Sequence, residues 1–176
     1  MKKALLVIDL QNDYFEGGKF PLWNTESTLE NIKNAIKNAQ KNDVEVVLIK
    51  HVADASAGIA PFFNEGTEGV EIHKEILKVC EDPTIVVKSF ADGFFKTDLE
   101  KVLDEKNVEE LLVCGMMTQN CVTHTAISKT AEKYKKVTIL TDCSTTVNEP
   151  IHLIGLHAVS TRVNLDLYTN LIHLYS

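Results

Sequence analysis

Long apolar runs and clusters of basic side chains are both missing from this sequence. A membrane-spanning helix needs about 18 or more consecutive apolar residues, but the N-terminal run that starts at Ala4 ends at Asp9, and no cleavage site follows it. Lys and Arg number 18 against 25 Asp and Glu, which gives a formal net charge of −7. Nucleic-acid binders usually carry a basic patch. We therefore expect no membrane and no nucleic-acid partner, and we expect a cytoplasmic protein.

Cysteine is scarce, and the spacing of the cysteines excludes paired motifs. No CxxC pair occurs among the four, which are Cys80, Cys114, Cys121 and Cys143. We therefore expect reduced thiols rather than a disulfide framework. The chain also lacks internal repeats and low-complexity tracts. Its 176 residues, 44% of them hydrophobic, can bury one sizeable core, so we expect a single domain over residues 1–176.

Short apolar runs alternate with segments of helical character along the chain. Runs without polar alternation are typical of parallel strands buried on both faces, and they predict strands at 4–8, 44–49, 84–87, 110–114, 137–140 and 171–174. Capping signals and periodicity predict helices that start near Ser27, 71, Thr97, Cys121 and Pro150, the fourth of them running to Tyr134. The alternation predicts a doubly wound, three-layer α/β sandwich with a mostly parallel, six-stranded, Rossmann-like sheet.

Three reactive side chains come directly after predicted strands. Asp9 follows the first strand, Lys88 the third, and Cys121 the turn after the fourth. The carboxyl ends of parallel strands meet at one edge of a sheet, where ligands bind in doubly wound folds. Each residue alone also has an ordinary explanation, because Asp9 could cap a turn, Lys88 could be solvated and Cys121 could be a small core residue. Together they predict a site in one crevice.

Three separated motifs resemble those of the isochorismatase-like cysteine hydrolases. They are Val-Ile-Asp-Leu-Gln-Asn-Asp at 7–13, Lys88 followed by Gly-Phe-Phe-Lys-Thr-Asp-Leu at 93–99, and Gly-Met-Met-Thr-Gln-Asn-Cys-Val at 115–122. The resemblance covers almost the whole chain. It implies an isochorismatase-like fold with strand order 3-2-1-4-5-6, a catalytic Asp9, Lys88 and Cys121, and a homo-oligomer, either a dimer or a tetramer. It also implies a cis peptide bond between Met116 and Met117.

A metal motif of one branch of this superfamily is missing. Nicotinamidases carry Asp-x-His after the second strand, and the corresponding residues here are Lys50-His51-Val52. We therefore expect no metal and no other cofactor, and a protein outside the nicotinamidase branch.

The three residue types suit a two-step hydrolysis of an amide. Asp9 can accept the thiol proton as a general base, and Lys88 can lower the pKa of the thiol and keep Asp9 ionised. A helix that opens near Cys121 would also favour the thiolate. The thiolate would attack a carbonyl carbon and form a thioester, while the backbone N–H groups of Met117 and Cys121 hold the oxyanion. The expected substrate is a small amide or carbamoyl compound.

Loop aromatics and a histidine surround the predicted crevice. Phe15, Trp23, His51 and Phe94 are candidate substrate contacts, and the long segment 52–69 is a candidate lid or pocket wall. Two other functions remain open. Hydrolysis of an isochorismate-type vinyl ether would use Asp9 and Lys88 without a thiol, and the same fold could also serve as a noncatalytic small-ligand-binding domain.

Overall fold

Six parallel strands form one sheet at the centre of the computed structural model, which describes residues 1–171. The strands are β1 (Lys3–Ile8), β2 (Glu45–His51), β3 (Thr84–Lys88), β4 (Glu110–Met116), β5 (Lys136–Thr145) and β6 (Asn164–Asp166). Their order in the sheet is β3-β2-β1-β4-β5-β6, and every neighbouring pair is parallel. The doubly wound α/β fold and the strand order predicted from the sequence are both confirmed.

Helices cover both faces of this sheet. They are α1 (Thr25–Lys41), α2 (Lys74–Val79), α3 (Leu99–Glu105), α4 (Thr123–Ala126), α5 (Glu149–Val159) and α6 (Tyr168–Leu171). On one face, Ile32 of α1 and Ile76 of α2 pack with Leu5 and Val7 of β1. On the other face, side chains of α3, α4 and α5 pack with Ala4, Leu6 and Ile8. The central strand β1 is thus buried on both sides, as its uninterrupted apolar sequence predicts. None of the described helices is long and apolar enough to cross a membrane.

The helix predicted from Cys121 to Tyr134 is wrong in extent. A π-helical turn covers Thr118–Val122, α4 adds only four residues, and a 3₁₀ turn follows at Ala131–Lys133. The Ser128 hydroxyl accepts from the Thr130 N–H, which an uninterrupted helix would bond to a backbone carbonyl instead. Such a local bond competes with helix continuation.

Two further boundaries also differ from the prediction. Helix α1 begins at Thr25 after Asn24, which has left-handed backbone angles, so Ser27 lies inside the first turn and does not cap the helix. The sixth strand is Asn164–Asp166 and not 171–174. A three-residue edge strand with two polar residues lacks the apolar run that signals a buried strand. Of the predicted strand, Leu171 ends α6 and 172–174 lie outside the described residues.

Gly115 allows β4 to approach β1 closely just before the turn that carries Cys121. Its φ is +123°, and a Cβ atom there would lie 2.0 Å from the carbonyl oxygen of Ile8. The pairing of β4 with β5 also shifts between Val113 and Gly115. Only glycine satisfies both the backbone angle and the spacing, and the result is that the turn after β4 lies beside the end of β1.

Candidate active site

The structure brings Asp9, Lys88 and Cys121 together at the carboxyl edge of the sheet. Asp9 directly follows β1, Lys88 is the last residue of β3, and Cys121 lies in the π-helical turn after β4. Asp9 has a left-handed backbone, with φ of 55°, and its N–H donates to Ile49 O at 2.9 Å. This conformation turns the chain out of β1. The placement predicted from the ends of the strands is therefore observed.

The Lys88 ammonium joins the other two groups. Its Nζ donates to Asp9 Oδ2 at 3.0 Å and to Cys121 Sγ at 3.3 Å. The Asp9 and Lys88 side chains are fully buried, and Cys121 is only 3% exposed. Asp9 Oδ1 is also buried and makes no hydrogen bond within the described residues. One carboxylate oxygen is thus held by the cation, and the other is available to take a proton.

Burial determines the protonation state of this cluster. It raises the pKa of Asp9, and the Lys88 charge opposes that rise only in part. Burial, followed by the negative charge of Asp9, raises the pKa of the Cys121 thiol, whereas Lys88 lowers it. The rise in the thiol pKa works against the thiolate that a helix start would favour. Because one cation can compensate one anion, we expect a neutral thiol beside an Asp9–Lys88 ion pair.

His51 is the third neighbour of the Lys88 ammonium. Its Nδ1 lies 2.8 Å from Nζ. Burial and the Lys88 charge lower the pKa of His51 to about 4, so the imidazole is neutral near pH 7. An ammonium group only donates, so Nδ1 is the acceptor and the ring proton is on Nε2. His51 therefore belongs to the site, in contact with Lys88.

The residues present do not fit a metal in the manner of an Asp-x-His site. Ligand atoms of Asp9, His51 and Cys121 do lie within 4.8 Å of one another. The Lys88 ammonium, however, is within hydrogen-bonding distance of all three side chains. A cation bound to that set would have to displace it. Lys50, which occupies the place of the Asp in that motif, forms an ion pair with Glu71 at 2.9 Å.

The turn after β4 carries Met117 and Cys121, whose backbone N–H groups are predicted to hold an oxyanion. The Met116–Met117 peptide is cis, as the resemblance implies. Next to it, the buried Thr118 hydroxyl lies 2.7 Å from His152 Nδ1 of α5. Gly155 of α5 packs directly against the backbone of Gln119. Helix α5 thus holds the turn that carries Met117 and Cys121.

Two predicted substrate contacts lie in other surroundings. The Phe15 ring packs on the His73 ring, with centroids 4.3 Å apart, and lines a surface cavity away from the triad. Phe94 is buried in the core and packs near Tyr134, with centroids 6.1 Å apart. These placements do not support substrate contacts at either residue. Trp23 lies near His152, with ring centroids 6.3 Å apart, at the side of the turn after β4.

Two buried aromatic side chains, Tyr14 and Phe63, lie near the triad. Burial raises the pKa of the Tyr14 phenol, and the charge of Asp9 adds to that rise. The Phe63 ring lies 4.6 Å from the Tyr14 ring and 5.8 Å from the His51 ring. Phe63 comes from the segment 52–69, where its N–H donates to the Asp13 carboxylate at 2.8 Å. The segment 52–69 thus places one ring, that of Phe63, next to His51.

The fold and site together define a class of protein. A doubly wound parallel sheet carries a cysteine, a carboxylate and an ammonium at its carboxyl edge, which is an arrangement suited to nucleophilic hydrolysis. The Isochorismatase domain family model matches residues 3–165. The chain belongs to the isochorismatase family of hydrolases.

Individual relatives agree with this assignment. The uncharacterized isochorismatase family protein YddQ of Bacillus subtilis is 39% identical over 83% of this chain and 79% of its own length. Two Arabidopsis thaliana proteins also match: Nicotinamidase 3, 30% identical over 85% of this chain and 76% of its own length, and the probable inactive nicotinamidase At3g16190, 26% identical over 98% and 94%. An isochorismatase-like hydrolase from Alkaliphilus metalliredigens has a TM-score of 0.88 over the full length of both chains at 26% identity.

Proposed function

We propose that this protein is a metal-independent cysteine hydrolase that cleaves the C–N bond of a small amide or carbamoyl compound. The observation that carries the proposal is the contact of one buried ammonium, that of Lys88, with Asp9 Oδ2 and Cys121 Sγ. A nucleophile needs an adjacent base, and both must be oriented. Asp9 supplies the base at its unpaired Oδ1, and Lys88 supplies the orientation and the compensating charge.

The reaction proceeds through a thioester. Asp9 accepts the Cys121 proton as Sγ attacks the carbonyl carbon, and the backbone N–H groups of Met117 and Cys121 hold the oxyanion. The protonated Asp9 then gives its proton to the leaving nitrogen, and ammonia or an amine departs. Asp9 next takes a proton from water, whose oxygen attacks the thioester and releases the acid and the thiol. The relative named Nicotinamidase 3 supports an amide as the substrate class.

The charges at the site favour a neutral substrate. Lys88 is already paired with Asp9, and the neutral His51 adds no charge. A carboxylate group on the substrate would meet the negative Asp9 without a new cation to balance it. This argument favours a small uncharged amide over an isochorismate-type vinyl ether.

Ammonia release from a panel of small amides tests the proposal. The panel includes nicotinamide and an uncharged N-alkylurea, and the variants are Cys121→Ala and Asp9→Asn. We expect turnover of at least one compound by the wild type, a loss of about 10³-fold or more in each variant, and an acyl adduct on Cys121 in the mass of the quenched wild-type protein.

Two results would contradict the proposal. Turnover that survives in Cys121→Ala would favour vinyl-ether hydrolysis, which pyruvate release from isochorismate measures directly. Saturable binding of a panel compound without any turnover would favour the noncatalytic alternative.

A further inference from the structure

His51 and Lys88 are paired across the ends of two neighbouring strands. His51 is the last residue of β2, and its register partner in β3 is Lys88. The Nδ1–Nζ distance of 2.8 Å is shorter than the distances from Nζ to Asp9 Oδ2 and to Cys121 Sγ. An ammonium group has three N–H donors. At this site each of the three has one acceptor, and His51 Nδ1 is the one that takes no part in the proposed chemistry.

The backbone of His51 is fixed by a buried side chain. Gln11 Nε2 donates to His51 O at 2.7 Å and also to Val70 O at 2.7 Å, while Gln11 Oε1 accepts from His51 N–H at 2.8 Å. The Gln11 side chain thereby pairs with both backbone groups of His51 in the way a neighbouring strand would. Gln11 is fully buried. The imidazole consequently starts from a rigid position when it accepts from Lys88.

We propose that His51 is a positioning residue for Lys88: its neutral Nδ1 takes one ammonium proton, so that the other two are directed at Asp9 and Cys121. This inference rests on the proposed function, because it concerns the same three reacting groups. Without that acceptor, the ammonium of a flexible four-carbon side chain loses one of its three fixed directions. The Lys88 charge would then stabilise the Cys121 thiolate less well. Supporting partners of this kind are typically worth about 10- to 100-fold in activity.

Substitutions of His51 can distinguish the role of the Nδ1 acceptor from that of the rest of the imidazole ring. In His51→Asn, the amide oxygen lies near the position of Nδ1 and can accept from Lys88. In His51→Gln, the longer side chain carries its polar atoms near the position of Nε2 and leaves the Nδ1 position empty. His51→Leu removes both. Lys101, exposed on α3, provides a control as Lys101→Leu.

The readouts are kcat, KM and the rate of Cys121 alkylation by iodoacetamide at fixed pH, each with a melting temperature to confirm folding. We expect His51→Leu and His51→Gln to lower kcat and the alkylation rate about 10- to 100-fold with little change in KM. His51→Asn should recover most of both rates, and Lys101→Leu should match the wild type. If His51→Leu does not fold, the comparison of Gln with Asn decides the result.

Two outcomes would overturn the inference. One is an equal loss of kcat and alkylation rate in His51→Asn and His51→Gln, which would mean that the imidazole ring matters and its Nδ1 acceptor does not. The other is an effect confined to KM, which marks His51 as a substrate contact. Alkylation needs no substrate, so the inference can be judged separately from the proposed function. In one further case, the wild type hydrolyses no amide while the alkylation rates of the His51 variants still rank as expected, with Leu and Gln slow and Asn close to the wild type. That result would retain the positioning role and contradict the proposed function.

Discussion

The charges of Asp9, Lys88 and Cys121 are balanced so that one cation serves two acidic groups. Burial disfavours the charged forms of both the carboxyl and the thiol, and Lys88 favours both. A proton that moves from Sγ to the Asp9 carboxylate leaves the total charge of the cluster unchanged. Such a transfer avoids the large cost of creating a new buried charge. The site is therefore arranged for proton exchange between Asp9 and Cys121 and not for a permanently ionised thiol.

This balance predicts that Asp9→Asn makes Cys121 more reactive while it abolishes turnover. The Asp9 charge raises the pKa of the thiol and Lys88 lowers it. In the Asn variant, the ammonium can stabilise only the thiolate, so the thiol pKa falls. The rate of alkylation near pH 7 should rise about tenfold for each unit by which that pKa falls. Asparagine also tolerates the left-handed backbone at this position.

Lys88→Met removes the cation of the cluster and should change the reactivity of Cys121 in the opposite direction. Removal of the cation raises the thiol pKa, so alkylation near pH 7 should slow and the rise in its pH profile should move to higher pH. Alkylation that slows in Asp9→Asn as well would show that Asp9 promotes thiolate formation in the free enzyme, and it would contradict the charge balance. Cys121→Ser measures the background from Cys80, Cys114 and Cys143, which are buried.

At the scale of single residues, the sequence predicted the positions of the charged side chains at the site but not those of the aromatic side chains. Asp9 and Lys88 follow from the ends of apolar strands, because parallel strands bring their carboxyl ends to one edge. Phe15 was expected to contact substrate, but its ring packs on His73, whereas the ring of its neighbour Tyr14 packs on Phe63, which lies beside His51. The direction of a ring in an irregular loop depends on tertiary contacts such as the Asp13–Phe63 hydrogen bond, which leave no periodic signal.

The secondary-structure elements differ in how well local sequence predicted them. Strand β1 and helix α1 were predictable because strand burial and helix amphipathicity produce clear patterns. The segment after Cys121 was not, because the chain there forms a π-helical turn and a four-residue helix instead of one long helix. That turn is held from outside by α5, through His152 and Gly155.

We predict that Gly155→Ala impairs the site although alanine favours a helix. Alanine stabilises an ordinary helix interior by roughly 1 kcal/mol relative to glycine. Here, a Cβ at position 155 would lie 2.9 Å from both Cα and Cβ of Gln119, so the turn that carries Cys121 must shift. We expect kcat to fall about 10-fold or more, because catalysis is sensitive to misplacements of about 1 Å.

Lys37→Gly, at an exposed position of helix α1, is the control for that variant. It should lower stability by roughly 1 kcal/mol and leave kcat unchanged. Thermal unfolding and the kinetics of amide hydrolysis measure the two effects separately. Full activity in Gly155→Ala, together with a raised melting temperature, would show that the contact with Gln119 relaxes without moving Cys121.

At the scale of the whole molecule, helix α5 has two different faces. Its inner side holds the turn that carries Cys121, while Leu153 is 57% exposed and Ile154 is 68% exposed on the outer side. Adjacent exposed apolar side chains are a common feature of protein–protein interfaces. We therefore predict a homo-oligomer, a dimer or a tetramer, that buries this side of α5. Light scattering coupled to size exclusion should give two or four times the chain mass at micromolar concentration.

Charge substitution on α5 tests which surface forms that contact. Leu153→Glu combined with Ile154→Glu should shift the mass to that of one chain, because a carboxylate is costly to bury without a partner. Ile59→Glu is the control, since Ile59 is 97% exposed on the segment 52–69 and lies outside the proposed interface. A wild type that remains a single chain would contradict the prediction, and an oligomer that withstands the double substitution would place the interface on another surface. Because α5 also holds the Cys121 turn, the dissociated variant should lose activity without unfolding, and this loss would connect assembly to the site.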